Sequence, residues 1–193
     1  MSPLFPDSTA LPALSINSAS EGGNRRGRLE AEVVALFDEL RDPLLRYLSR
    51  FGLALPDGEE VLQEVFLALF QHLDGGKSRE NLRGWLFRVA HNLALKRRYR
   101  SRRDVEARSE SGVADLLIEP GPNPEDQMVR SQTQQRLLAV VQALPEQDRL
   151  CLFLRTEGLR YREIAGILDM SLGAVSISLA RSLARIARSA ERL

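Results

Sequence analysis

One stretch of this chain combines the side chains that can hold a nucleic acid. Residues 82–103 contain eight Lys or Arg and no Asp or Glu, and Trp85, His91 and Tyr99 are interleaved with them. Basic side chains bind phosphates, and aromatic rings stack on unpaired bases. Such a charge run can also be an ordinary solvated helix face, but the missing acids and the aromatics favour a nucleic-acid site.

The same stretch has the spacing of an amphipathic helix. Its apolar residues recur at helical intervals and predict one buried stripe, formed by Leu82, Leu86, Val89 and Leu93. Polar and aromatic residues fall off that stripe and are predicted to face solvent: Arg88, His91, Asn92, Lys96 and Tyr99. Among these, Asn92 offers a donor and an acceptor for a base edge.

The charge of the chain is unevenly distributed, although its formal sum is only +1. Residues 104–130 follow the basic stretch and contain seven Asp or Glu against two Arg. Gly and Pro residues interrupt this acidic segment, so that no helical pattern continues through it. We therefore predict a flexible acidic linker over residues 104–123.

The composition argues against several other classes of protein. Cys151 is the single cysteine, so no intrachain disulfide can form, and its Leu and Phe neighbours predict that it is buried. No apolar run approaches the ~20 residues that span a bilayer, and no secretory signal is apparent. With two histidines, no metal-ligand spacing and no glycine-rich phosphate loop, an enzyme, a metal site and a cofactor are all disfavoured. We expect a soluble cytoplasmic protein.

The elements that position the basic stretch are all predicted to be helices. Residues 1–28 are rich in Ser, Pro, Gly and Asn and predict a flexible tail. A first helix is predicted from Leu29, and Asp42 with Pro43 resembles the N-cap and first position of a second helix. A third helix over residues 57–73 and a short glycine-containing loop then lead into the basic stretch.

The third predicted helix has a polar face opposite its apolar one. That face is formed by Glu60, Gln63, Glu64, Leu67 and Gln71, of which the first four carry the predicted partner contact. Acids near the N-terminus of a helix suit its dipole, so an ordinary solvated face is one explanation. An exposed Leu67 among polar residues instead indicates contact with another protein.

The C-terminal part of the sequence predicts a helix-turn-helix. Helices are predicted over residues 123–143 and 144–158, followed by a short one over 161–168 and a last one that Ser171 caps after a three-residue turn. The last helix carries a stripe of arginines: Arg181, Arg185, Arg188 and Arg192. Two antiparallel helices of a bundle would give a similar pattern, so this alternative stays open.

Three segments give the sequence a family resemblance: GEEVLQEVFLALFQHL, LRGWLFRVAHNLAL and LPEQDRLCLFLRTEGLRYREIAGILDMSLGAVSISLARSLARI. In this order, with an acidic linker before the third, they resemble the extracytoplasmic-function (ECF) sigma factors of the sigma-70 family of bacterial RNA polymerase subunits. The resemblance implies an all-α chain with two small helical domains, at residues 29–103 and 124–193, and a helix-turn-helix in the second.

The resemblance also implies partners and binding residues. Core RNA polymerase would be bound at its clamp and flap, and many family members also bind an anti-sigma factor. The implied polymerase-binding residues are Glu60, Gln63, Glu64 and Leu67. The implied contacts with melted promoter DNA are Lys77, Ser78, Arg83, Trp85, Arg88, His91, Asn92, Lys96, Arg97, Tyr99 and Arg100. The implied contacts with the upstream duplex are Arg160, Arg162, Ser171, Gly173, Ser176, Ile177, Ala180, Arg181 and Arg185.

The start of the last helix departs from the family pattern. Ser176, Ser178 and Ala180 stand where Lys, Arg and His are usual in the family. Short side chains make fewer bidentate contacts with base edges, and the arginines of this helix begin only at Arg181. We therefore predict a weakly selective upstream contact in which arginines bind phosphates.

A stand-alone helix-turn-helix regulator that binds duplex DNA as a dimer is the alternative function. It would account for residues 161–193, but it leaves the basic stretch and the polar face of the third helix without a role. Promoter-specific initiation with core RNA polymerase distinguishes the two functions.

Overall fold

The computed structural model describes residues 17–109 and 132–190, and every regular element in these two ranges is a helix. The helices, in chain order, are α1 (Asn17–Ser49), α2 (Leu55–Asp74), α3 (Leu82–Ser109), α4 (Gln132–Gln142), α5 (Glu146–Thr156), α6 (Tyr161–Leu168) and α7 (Leu172–Ala190). The predicted all-α class is therefore confirmed. Residues 1–16 of the predicted tail and the predicted linker from residue 110 onward lie outside the described residues.

The first helix is longer than the sequence predicted. α1 begins at Asn17 and continues through Pro43, so a tail reaching residue 28 and a new helix beginning at Asp42 were wrong predictions. Proline removes one backbone hydrogen bond and normally kinks a helix. Here the fully buried residues on both sides of Pro43 keep one continuous apolar face against the core: Leu40, Leu44, Tyr47 and Leu48.

α2 packs its apolar face on α1, as its periodicity predicted. The buried apolar residues of α2 are Val61, Leu62, Val65, Phe66, Leu69 and Leu73. The rings of Phe37 and Phe66 meet edge to face, with centroids 5.0 Å apart. The helix begins at Leu55 with Pro56 in its first turn, where a backbone N–H would have no helical partner.

α3 buries a wider arc than the predicted stripe. Leu86 is fully buried as predicted, whereas Leu82, Val89 and Leu93 are only half-buried. The other fully buried positions of the helix are Phe87, Ala90 and Ala94. The arc is shifted because α3 packs against α1 and α2 on one side and against α6 on another. α3 also continues into the predicted linker, of which residues 104–109 are helical.

Helices α1–α3 are called the first unit below, and helices α4–α7 the second unit. The second unit contains the predicted helix-turn-helix. α6 and α7 are joined by three residues, and the chain bends by 104° between them, as in DNA-binding helix pairs rather than antiparallel ones. Ser171 caps α7, because its hydroxyl accepts a hydrogen bond of 3.1 Å from the N–H of Ala174. Asp169 ends α6 in the left-handed conformation, with a φ of 52°. Of the helix predicted over residues 123–143, the structure describes the part Gln132–Gln142, which is α4.

The two units contact each other through a shared apolar core. Tyr47 of α1 stacks on Phe153 of α5 with ring centroids 5.7 Å apart. The guanidinium of Arg50 lies 4.5 Å from the centre of the Phe153 ring. Because α3 also packs against α6, the basic stretch lies next to the helix-turn-helix.

Candidate nucleic-acid interface

One side of α3 presents basic and aromatic side chains to solvent. The exposed residues on this side, called the α3 face below, are Arg88, Asn92, Leu95, Lys96, Tyr99 and Arg100. The Tyr99 side chain is 63% exposed, and the guanidinium of Arg103 lies 5.9 Å from the centre of its ring. An exposed ring among cations can stack on an unpaired base while the cations bind phosphates.

The loop before α3 is held against the start of the α3 face. Trp85 is half-buried, and its ring lies 4.6 Å from the ring of His72. Nε2 of His72 forms a hydrogen bond of 2.9 Å with the backbone carbonyl oxygen of Ser78. Lys77 and Ser78 are exposed, as predicted. His72, to which the sequence analysis gave no role, therefore ties this loop to Trp85.

The helix-turn-helix exposes every residue that was predicted to face duplex DNA: Arg160, Arg162, Ser171, Gly173, Ser176, Ile177, Ala180, Arg181 and Arg185. Arg160 immediately precedes α6, and its backbone N–H donates a hydrogen bond of 2.5 Å to the carboxylate of Glu163. This bond fixes the start of α6, where the side chains of Arg160 and Arg162 are exposed.

The exposed face of α2 is also present as predicted. Glu60, Gln63, Glu64 and Leu67 all face solvent, and Leu67 is 59% exposed. Glu60 forms an ion pair with Arg97 of α3, so this face borders α3. An exposed leucine in a polar surface is suited to an apolar contact with another protein.

Comparison with known proteins identifies the family. The family model described as Sigma-70 region 2 matches residues 36–104, and the model described as Sigma-70, region 4 matches residues 134–186. The ECF RNA polymerase sigma-E factor of Escherichia coli (strain K12) is 30% identical over 137 residues, which are 66% of this chain and 72% of that protein. The chain belongs to the ECF sigma factors. The RNA polymerase sigma-H factor of Pseudomonas aeruginosa is 28% identical over 146 residues, which are 72% of this chain and 76% of that protein.

Two solved structures share the fold of this sigma factor. The structure of CnrH in complex with the cytosolic domain of CnrY matches with a TM-score of 0.55 at 19% identity, covering 86% of this chain and 92% of the other. The sigma factor RpoE from Bartonella quintana, in complex with the anti-sigma factor NepR, matches with a TM-score of 0.56 at 19% identity, covering 81% and 97%. Family membership assigns the chain a function in transcription initiation.

Two of the arginines predicted to contact melted DNA are instead bound by carboxylates of the sigma factor itself. Arg83 donates hydrogen bonds to Glu39 at 2.9 Å and to Glu157 at 3.3 Å. Arg97 donates to Asp57 at 2.8 Å and is paired with Glu60, because it lies on the side of α3 that faces α2. This arrangement of the chain therefore differs from the prediction, in which both arginines were available to DNA.

The prediction that His91 faces solvent was wrong. His91 is buried against Tyr47 and Phe51, and its Nδ1 and the hydroxyl of Tyr47 share a hydrogen bond of 2.9 Å. Burial lowers the pKa of His91, and the charge of Glu146 opposes this shift. Helical periodicity placed His91 off the apolar stripe, but it could not show that Tyr47 and Phe51 cover that side of α3.

Arg181 has a structural partner that the sequence did not indicate. The carboxylate of Asp148, which is only 2% exposed, accepts hydrogen bonds from Arg181 at 2.8 and 3.0 Å and from the Ser178 hydroxyl at 2.7 Å. Burial alone would raise the pKa of Asp148, but these hydrogen bonds and the nearby arginine charges hold it below its ordinary value. Ser178 is buried by this contact, so it is not among the side chains of the last helix that could meet base edges.

α6 covers the first part of the α3 face. The guanidinium of Arg88 lies over Gly166, where a Cβ atom would overlap it. Beside this contact is a cleft of about 260 Å³, whose lining includes Trp85, Arg88 and Arg162. In this arrangement the two predicted DNA-binding surfaces of the sigma factor meet at their edges.

Two other types of site, a metal centre and a membrane span, were sought in the described part of the chain. No group of three or more His, Cys, Asp or Glu residues within residues 17–109 and 132–190 could hold a metal ion. No single helix among them is long and apolar enough to cross a membrane, although α6 and α7 together pass that test across their 104° bend.

Proposed function

We propose that the α3 face holds the melted promoter strand during transcription initiation. The observation that carries this proposal is the exposed Tyr99 ring beside Asn92, Lys96 and Arg100, in a stretch without acids. Stacking on an aromatic ring contributes roughly 1–3 kcal/mol per base, so a few such contacts help to keep a short segment unpaired. Trp85 and the adjoining loop extend this surface beyond the N-terminal end of α3.

The other two exposed surfaces supply the remaining contacts of the proposal. The face of α2, with Leu67 at its centre, docks on the clamp of core RNA polymerase. The helix-turn-helix binds the upstream duplex, close to the polymerase flap. The polymerase supplies the chemistry, so the sigma factor acts by binding and has no catalytic residue of its own.

The packing of α6 on α3 implies an opening step in the proposed function. α6 contacts α3 at Arg88, so bound DNA and α6 compete for the same part of the α3 face. The carboxylate of Glu157 in the second unit pairs with Arg46 and Arg83 of the first, at 3.4 and 3.3 Å. Binding of promoter DNA by the whole α3 face therefore requires these ion pairs to separate.

In vitro transcription with core RNA polymerase tests the proposal. The template is a library of genomic fragments, and the 5′ ends of the transcripts are mapped with and without this chain. We expect a defined set of start sites that appears only when the chain is added. Duplex binding by the isolated chain, with no start sites in the presence of core polymerase, would contradict the proposal and support a stand-alone regulator.

We also propose that an anti-sigma protein binds this chain. Both solved structures with the same fold are complexes, one with the cytosolic domain of CnrY and the other with the anti-sigma factor NepR. A co-purifying protein that prevents the sigma factor from binding core polymerase is the expected result. If no protein recovered with the tagged chain reduces polymerase binding, the proposal of such a partner is contradicted.

A further inference from the structure

The front of α7 has an unusual surface for a helix that lies on DNA. Ile177 is 66% exposed, and Gly173, Ser176 and Ala180 beside it are also exposed. The arginines of α7 follow on the neighbouring side of the helix, from Arg181 onward. The first two turns therefore present a mainly apolar surface, in which Ile177 and Leu172, which is 47% exposed, have the large side chains.

Few side chains on this front of α7 can recognise bases through hydrogen bonds. Ser178 turns inward and donates to Asp148, and Arg181 is held by the same carboxylate through two hydrogen bonds. The short hydroxyl of Ser176 is the one side-chain hydrogen-bonding group among the four exposed front residues, since glycine, isoleucine and alanine have none. These side chains can therefore contact bases mainly through their apolar groups.

Thymine offers the matching group in duplex DNA. Its C5-methyl group projects into the major groove, where no other unmodified base presents a methyl, and apolar side chains recognise it by contact. We propose that Ile177 and Ala180 read thymine methyl groups in the upstream element. This inference rests on the proposed function, because it requires α7 to lie in the major groove.

The charges around this front favour duplex DNA over a protein as its occupant. Exposed arginines flank it on α6 and along α7: Arg160, Arg162, Arg185 and Arg188. Of the two acids between residues 161 and 190, Glu163 is half-buried on the start of α6 and Asp169 lies in the turn. Phosphate contacts by these arginines would hold α7 in the groove and bring its apolar front to the base edges. The upstream contact would then tolerate most base changes, as the sequence analysis predicts, but would require thymine at one or two positions.

Replacing thymine by uracil tests this inference, because deoxyuridine lacks only the methyl group. Holoenzyme, reconstituted from the full chain and core polymerase, is bound to a promoter found by start-site mapping. Each upstream dT on either strand is replaced in turn by dU. We expect an affinity loss of about fourfold at one or two positions, the value for one buried methyl-sized group, and no change at the others.

Two variants of α7 assign the effect to Ile177. In I177A we expect the difference between dT and dU to disappear at one of these positions. L183A is the matched control, because Leu183 is also exposed on α7 but lies further from the turn, and it should keep the full difference. Persistence of the difference in I177A would overturn the assignment to Ile177.

The outcomes separate this inference from the proposed function. Holoenzyme that initiates at defined promoters but binds every dU-substituted template equally well would overturn the inference alone. Failure to initiate at any promoter would overturn the proposed function instead. If I177A binds DNA normally but loses affinity for core polymerase, the front of α7 contacts protein and the inference is wrong.

Discussion

Arg181 on α7 forms a bidentate ion pair with the buried carboxylate of Asp148 on α5. Nε and Nη2 of Arg181 donate to the two carboxylate oxygens at 3.0 and 2.8 Å, and Ser178 donates to one of them as well. The pair fixes the rotation of α7 about its axis, because Arg181 and Ser178 must both face α5. It therefore decides which residues of α7 remain at the front.

We expect R181A to destabilise the sigma factor, because it leaves the buried Asp148 carboxylate without its arginine partner. The midpoint of urea unfolding should fall clearly, with an unchanged slope of free energy against urea. R188A is the matched control, because Arg188 is exposed on the same helix, and its midpoint should remain close to that of the wild type. Equal midpoints for R181A and R188A would show that the ion pair contributes no stability.

The buried His91 predicts that stability depends on pH below neutrality. Because the pKa of His91 is lower in the folded chain than the ordinary value of about 6.5, the unfolded chain binds more protons between these two values. Its contribution to stability is therefore complete above about pH 6.5 and is lost as the pH falls from there to the lowered pKa. Urea unfolding between pH 7.5 and 5 should show a steeper loss for the wild type than for H91Q.

The hydrogen bond between His91 and Tyr47 allows a second test of this burial. A separate variant, Y47F, removes the hydroxyl that bonds to His91 and should lower the free energy of unfolding by about 1 kcal/mol. If H91Q and the wild type share one pH profile, the proposed burial of a neutral His91 is contradicted.

The position of His91 illustrates what the sequence could and could not predict. The cap at Ser171 and the boundaries of α6 follow from residues close in the chain, and these were predicted correctly. Burial of His91 depends instead on Tyr47, which lies 44 residues earlier in the chain, and on Phe51. A 3.6-residue period shows that a helix has an apolar side, but it does not show how many neighbours that helix has.

The arginines illustrate the same limit. A run of basic residues indicates where positive charge is concentrated, but not which cations are already paired. Arg83, Arg97 and Arg181 find carboxylates on other helices, whereas Lys96 and Arg100 are exposed on the α3 face. α1 continues through Pro43 for a related reason, because burial on both sides of the proline outweighs its local preference.

The ion pairs of Glu157 predict a salt-sensitive contact between the two units. We expect E157Q to separate them more readily, because it weakens the pairing with both Arg46 and Arg83. Energy transfer between dyes at S49C and A190C, in a C151S background, should fall at a lower salt concentration than in the parent chain. E59Q is the control, because Glu59 pairs with Arg41 inside the first unit. Identical salt profiles for E157Q and the parent would exclude Glu157 from the contact.

The face of α2 predicts a polymerase contact that can be removed without unfolding. Gln63 and Glu64 are exposed beside Leu67, so replacing both with alanine should leave the fold intact. We expect the double variant Q63A/E64A to bind core polymerase at least tenfold more weakly while its thermal unfolding midpoint changes little. E59A is the control, because Glu59 is exposed on the side of α2 that pairs with Arg41 of α1, and it should bind normally. Unchanged polymerase affinity in the double variant would remove this face from the proposal.

Open-complex formation on two matched templates tests the central claim that the α3 face holds the melted strand. One template is fully paired, and the other is mismatched over the melted segment. N92A and Y99A should bind core polymerase normally, form fewer open complexes on the paired template and lose much less on the mismatched one. Y99F, which keeps the ring, should stay close to the wild type on both. Equal losses of N92A and Y99A on the two templates, or no loss on either, would contradict the claim.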